Sequence, residues 1–585
     1  MLTELKTPKA TPGVSGRFAR ADMPVKITAA LALAFAFGAT SALGQNWTGG
    51  AGTTDWNTAG NWDTGVPAPT GNVVINTGTS GPVINSGEIN ITGLSMGVSP
   101  GTGALTINGS GTLHIGTGAT RFSQNNMAYL TVTDNARLIM DATNVDFAYN
   151  NASLVAVISG SALVENGGTG SVIFGERTGG LINVEVKDHA TWKIQGSAAT
   201  GLSLGWVTGT TVFTIRDSAV VSVLNGAAII GYGANSVNTL TLSGSAAGAR
   251  GTLEVKTGVQ THASNANSRL VFDGGVLKAL SGSAAFIRGP LAMITQGDGA
   301  FIDSNGFNIG IQNTVTFTGT SGLTKLGAGA LTLNNIVGYT GTTAVQAGSL
   351  ILTTSNQLAA GGGVAVAAGG TLSAANLAQT LNGLAGAGSV NIGTGAATLG
   401  GTGSTAFSGN LTASSLTKTG PGRLTLSGSN TLAGNTTLDG GVLAIAHDGA
   451  LGAATGKTLT FVSGTLAGGA ATGATFAHAI AAQAGSRVAL DSGPGGFTVS
   501  GAITGNAGLA KSGAGDVRLT GNLSGLAGPV SVSQGMLLTG DLNASVSVAT
   551  GAGFGGAGTV NGDVLFAGAG RIQVGFTHND STVTA

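Results

Sequence analysis

One block of residues returns three times at an unchanged distance. It reads LTKLGAGALTL over 323–333, LTKTGPGRLTL over 416–426 and LAKSGAGDVRL over 509–519. Its lysines are Lys325, Lys418 and Lys511, and the two steps are 418 − 325 = 93 and 511 − 418 = 93. A fixed step without insertion points to a stacked array in which each copy occupies an equivalent slot. The chain is therefore expected to be a quasi-one-dimensional solenoid.

The rest of the chain supports an all-β form of that array. Short runs rich in Val, Ile, Leu and Thr, such as 104–107, 112–115, 130–133, 211–215 and 239–242, alternate with turns of Gly, Ser and Asn. No run after the N-terminal segment has a sustained helical period with caps. The turns never lengthen into crossover connections, and repeats of propeller length are absent, so a parallel β-helix is expected rather than a sandwich or propeller. The step of 93 divides into about four coils of roughly 23 residues. Stacking at about 4.8 Å per strand makes a rod on the order of 100 Å long. Leu331 and Leu333 alternate with Ala330 and Thr332, which sends one set of side chains inward and the other to solvent.

Composition narrows the function. Of 585 residues 104 are glycine and 11 proline, but no Gly-x-y triplet persists, so collagen is excluded. Acidic and basic residues balance at 24 each, and charge is only 8% of the chain, which leaves no basic surplus for a nucleic-acid partner. Cysteine is absent, so ladders and packing rather than disulfides must hold the array. Lys26 precedes an apolar run over 27–37, and Ala42, Leu43 and Gly44 form a small-residue exit, the pattern of a secretory signal over 1–44, with Met23 as an alternative start. Export follows, to the cell surface, outer membrane or medium.

Four regions are expected: the signal at 1–44, a Trp-rich N-terminal cap at 45–80, an irregular solenoid at 81–320, and a solenoid carrying the three repeats at 321–585. In the cap, Trp47, Trp56 and Trp62 lie within sixteen residues. They read either as a sugar-binding platform or as the cover an array needs over its open edge, and the cover is the reading adopted.

The lysine-glycine block with its continuation, through Tyr339 to 348–352 in the first copy, 435–443 in the second and 535–538 in the third, resembles the passenger-associated transport repeat of bacterial autotransporters. Residues 271–277, 302–306 and the Trp-rich start are similar to other parts of such passengers. The resemblance implies secretion through the outer membrane, display of a right-handed parallel β-helix, and an outer-membrane translocator barrel as partner. The repeat residues Leu323, Lys325, Gly327, Gly329, Leu416, Lys418, Gly420, Gly422, Leu509, Lys511, Gly513 and Gly515 carry the match. Too few residues follow the last copy for a barrel, so the barrel is expected to be separate from this chain or missing from it.

Chemistry is sparse. His114, His189, His262, His447, His478 and His578 have no metal-ligand spacing. G-x-S-x-G strings at 93–97 and 97–101 lack a strand-turn-helix setting. Asp491 and Ser492 faintly echo a protease nucleophile loop without partners, and the glycines of 551–556 lack a βαβ unit. Asp298, Asp303 and Asn305 offer oxygens for calcium but read better as a solvated turn. Asp141 and Asp146, as a carboxylate pair, fall on opposite faces of a straight strand. Glu185, Lys187 and Asp188, near Trp192, form the best charged patch and read as a solvent-facing strand. Thr239/Thr241 and Thr314/Thr316 do not recur at one coil spacing as an ice-binding face would require. No catalytic residue, cofactor or metal is assigned. The expected function is a structural or adhesive passenger with a host or surface glycan or protein as ligand; the alternative is a secreted β-helix enzyme acting on polysaccharide.

Overall fold

The computed structural model describes residues 44–574 and 583–584, except 178, 198–199, 245–247, 336, 359–361, 375 and 470–472. The expected signal, up to residue 43, and His578 lie outside the described residues. Among the described residues from Gln45 onward the chain is a succession of strands interrupted by one 3-10 turn, Ala59–Asn61.

The ladders are parallel and run coil on coil, which defines a β-solenoid of about 20 turns. Three faces recur. In one early coil, the first face is Thr112–Ile115, the second Thr120–Arg121 and the third Met127–Val132. The third face forms an eleven-stranded sheet up to Gly338–Tyr339. Strand alternation does the sorting: Ala152–Ile158 alternates strictly between buried and half-buried positions, and so does Thr210–Ile215 after its first residue.

Because the strands are parallel and in register, each inward residue sits on its counterpart in the next coil. Leu113, Leu138, Val164, Trp192 and Val221 form one such column. On the second face Phe122, Phe147 and Phe174 stack at 4.7 and 4.9 Å, with Trp192 against Phe147 at 5.3 Å. Outward columns alternate charge: Glu165 meets Arg137 and Lys193, each at 3.3 Å, and Glu254 meets Lys278 at 3.0 Å. At these exposures each pair contributes about 0–1 kcal/mol, so the core columns dominate.

Coil length varies along the chain, and around the first repeat it is shorter than the roughly 23 residues expected within the step of 93. One coil spans 253 − 221 = 32 residues and another 548 − 532 = 16. Around the first repeat the steps are 20 or 21: Lys325 to Val345, Val366, Gly386 and Phe407 in succession. Four such steps leave the chain on the first face at Phe407, short of Lys418, which it reaches only after crossing to the third face at Ser415–Thr419. A step of 93 is thus not a whole number of coils. The turn lengths vary because loops on the surface tolerate insertion, whereas the strands between them cannot slip by one residue without turning the core outward.

Near the N-terminus Trp47, Trp56 and Trp62 are buried. Trp62 stands edge-on to both others, at 5.0 and 4.8 Å, and its Nε1 donates to the Trp56 carbonyl at 2.8 Å. No open ring face remains there for a sugar.

Phe147→Ala should open a cavity in the middle of the Phe122–Phe147–Phe174 stack, at a cost of about 3–5 kcal/mol. Because coils touch only their neighbours, hydrogen exchange should quicken in the coils around 122–174 and stay unchanged beyond 400.

Candidate functional site

The repeated block builds a corner, and its lysine is the centre of that corner. Strand alternation places Leu323 and Lys325 inward, so Lys325 takes an aliphatic position in the column Leu277, Ile302, Lys325, Val345, Val366. Lys418 does the same between Leu399 and Leu438, and Lys511 between Leu490 and Val532. The three side chains are at most 1% exposed.

An ammonium in an aliphatic column is tolerable only if its three donors are used. Lys325 Nζ donates to the carbonyls of Leu326 at 2.6 Å, Gly327 at 2.7 Å and Ala347 at 3.2 Å, with Ser304 Oγ at 2.9 Å. Lys418 Nζ donates to Thr419, Gly420 and Gly440 at 2.6, 2.9 and 3.3 Å. Lys511 Nζ donates to Ser512, Gly513 and Gln534 at 2.7, 2.8 and 3.0 Å. Each lysine therefore ties two carbonyls of its own corner to one in the following coil.

The glycines make this geometry available. Gly327, Gly420 and Gly513 have φ of 75°, 69° and 80°, the left-handed region that lets the corner turn its carbonyls inward. At Gly329, Gly422 and Gly515 a Cβ would collide with the backbone of the preceding coil, at Phe307, Gly403 and Gly493. The following coil supplies a third left-handed glycine in each case, Gly348, Gly441 and Gly535, packed over the carbonyls of the corner below. These last three belong to the site as much as the assigned residues do.

The equivalent-slot expectation does not hold. The first repeat turns from the first face to the second, through Leu323–Leu326 and Ala330–Leu333. The third does likewise, through Gly508–Ser512 and Val517–Leu519. The second turns from the third face to the first, through Ser415–Thr419 and Arg423–Leu426. The clamp is the same at all three, so what repeats is a local corner and not a place on the solenoid.

Burial pushes Lys325 and Lys511 down to about 8, against the pull of Asp303 on the first and of Asp491 and Asp516 on the second; Lys418 is lowered by burial as well.

Other candidates resolve into structure. His114 Nε2 meets Asp141 at 2.6 Å, His262 Nδ1 meets Ser264 Oγ at 2.9 Å, and His478 is buried beside the Phe476 ring, its basicity lowered by desolvation. Among the described residues no three His, Asp or Glu side chains gather as metal ligands. Asp303 Oδ1 accepts from the Asn305 amide at 2.7 Å, as in a turn. Ser492 is fully buried and donates to the Gly493 and Asp516 carbonyls. Glu185 pairs with Lys187 at 3.1 Å and Arg216 at 2.6 Å, while Trp192 is in the core. A hollow of about 560 Å³ beside the second repeat is lined by Gly400–Gly403, Thr419, Gly420 and Pro421, with no titratable group.

One carboxyl pair escaped the sequence reading: Asp146 and Glu176. Asp146 lies on the second face in the outward row Arg121, Asp146, Ile173, and Glu176 follows Ile173 by three residues. Asp146 is 8% exposed and raised to about 8 by burial and then by Glu176, with Arg121 opposing at 3.6 Å. Only knowledge of the coil lengths would have brought these two together. Further along the same side, Trp206 and Tyr232 stack face to face at 3.9 Å, so their inner faces are already occupied.

Residues 323–352, 416–445 and 509–538 match the model of the passenger-associated-transport-repeat. No curated protein and no solved structure matches the chain. Three such repeats on a parallel β-solenoid define the class: the chain fits an autotransporter passenger domain.

Lys418→Met should orphan the Thr419, Gly420 and Gly440 carbonyls, and leaving these buried acceptors unpaired outweighs the relief of burying no charge; about 2–4 kcal/mol of local stability should go. Faster hydrogen exchange confined to 415–445 would register it. The pH dependence has a definite sign. Lys325 and Lys511 hold a proton less tightly folded, near 8, than unfolded, near 10.5, so the unfolded chain binds more protons between those values. Protection around both corners should therefore rise from pH 8 to 10.5, and Lys→Met at either corner should remove that rise there.

Proposed function

We propose that this chain is an exported passenger, displayed at the cell surface or released, with a structural or adhesive role, no catalytic site, and a membrane translocator barrel as its export partner. The observation that carries this reading is the threefold corner clamp coinciding with the three matched transport repeats. Each lysine reaches forward, by 22, 22 and 23 residues, to a carbonyl of the coil that follows. A corner of this kind is complete only when the next coil is in place. That suits a chain whose coils assemble against one another after crossing a membrane. The Trp-rich segment at 45–80 acts as the cover of the first rung.

The polysaccharide-enzyme alternative finds less support. Glycoside cleavage by two carboxyls uses separations of about 5–5.5 or 6.5–9.5 Å, which leave room for the sugar or a water. Asp146, the carboxyl most strongly shifted by a neighbouring carboxyl, is only 8% exposed, which leaves no room against it for a sugar or an attacking water.

Protease shaving and antibody labelling of intact cells test the location: the protein should be cleaved and labelled from outside or found in the medium, and confinement to the cytoplasm would sink the proposal. Deleting the gene should reduce surface attachment; unchanged attachment removes the adhesive part.

A further inference from the structure

The outward row of the second face is unlike the other outward rows because it is buried. Asp146, Ile173, Ser203 and Ile229 follow one another in register and are 8%, 5%, 0% and 4% exposed. An outward position closed to solvent requires a second layer of chain over it. The turns that follow these strands are themselves stacked: the Tyr149 amide donates to Ser123, that of Arg177 to Tyr149, and that of Gly233 to Gly205. Side chains continue the stack. The Tyr149 ring lies between two guanidinium groups, Arg121 at 4.2 Å and Arg177 at 4.8 Å from its centroid.

Asp146 sits under this layer with its carboxyl incompletely paired. Its Oδ1 is buried without a partner and its Oδ2 is 3.6 Å from Arg121 Nε, too long for a hydrogen bond. Glu176, next to Arg177 in the same turn, is the neighbouring carboxyl that acts on it. A buried carboxylate with an unpartnered oxygen and a second carboxyl nearby resists ionising, and a single proton held between the two joins the strand to the turn. A divalent cation could play the same part, but the Arg121 guanidinium beside the pair opposes it.

We infer that Asp146 and Glu176 share a proton that fastens the outer turn layer, at 148–151 and 175–177, onto the second face, so that this surface tightens in acid and loosens in mild alkali. The groups facing Asp146 are Arg121 from the neighbouring strand and Glu176 from the turn, with Arg177 beyond Tyr149. The sign follows from where the proton is held. Fastened, Asp146 keeps it up to about pH 8; released to solvent, only to about 3.8. Fastening is complete below the lower value and lost as pH climbs through the higher one.

Hydrogen exchange of the full chain, corrected for the intrinsic rate, tests this. Protection of amides in 148–151 and 175–177 should fall by up to about tenfold per pH unit from about 4 to about 8 and level off above that. Asp146→Asn, neutral at every pH, should flatten the profile. Should that variant fail to fold, Glu176→Gln should shift the levelling-off point downward. A wild-type profile that is flat, or either variant retaining the wild-type slope and plateau, overturns the inference. Millimolar calcium should leave the pH 9 value unchanged; restored protection would replace the shared proton by a cation and overturn it too. Amides around Val345 and Val366 should not follow the profile; if they do, the whole solenoid is responding and the local latch fails.

Discussion

In-register parallel pairing is the constraint from which the rest of this structure follows. Once each residue must sit on its counterpart one coil away, every inward position becomes a column. Apolar columns such as Leu113 through Val221 then hold the solenoid without disulfides. The same rule makes the lysine corners conspicuous. A charge placed in a column has no water to turn to, so the backbone must turn to it. The left-handed glycines at Gly327, Gly420 and Gly513 let the carbonyls do so. Lysine and glycine in the repeat are therefore one device: without the glycine the carbonyls point away, and without the lysine they are orphaned.

Two kinds of buried titratable group follow, with opposite signs. The corner lysines are held below their ordinary value, so the clamp region gains stability as pH rises past 8. Asp146 is held above its ordinary value, so the outer layer of the second face gains stability as pH falls. Both shifts have burial as the largest cause. They act in separate stretches of the chain, and in a solenoid separate stretches respond separately.

The fold was legible because its signals are local. Val, Ile, Leu and Thr runs with glycine turns mark strands, and alternation at Leu331 and Leu333 marks the inward side. Lys325, Lys418 and Lys511 were identified by recurrence, but nothing in a recurrence says that the lysine points inward. Coil length was less legible, because it is the sum of strands that are constrained and turns that are not. That one uncertainty hid Glu176 from Asp146, thirty residues away. It also turned a regular step of 93 into the expectation of an equivalent slot.

The failure of that expectation says something about the repeat. Had the corners lain on one face, they could have formed a surface site, three identical features in a line facing a common partner. They lie instead on two different corners, with their lysines buried and their donors spent on the main chain. A device that is indifferent to the face it occupies, and that reaches to the following coil each time, contributes to the cohesion of successive coils rather than to recognition at the surface. Recognition, if the passenger binds a surface, then belongs to the solvent-facing outward rows, where residue types change from coil to coil, such as the charged ladder around Glu165 and Glu254. The regular part of this chain holds it together, and the irregular part is free to be specific.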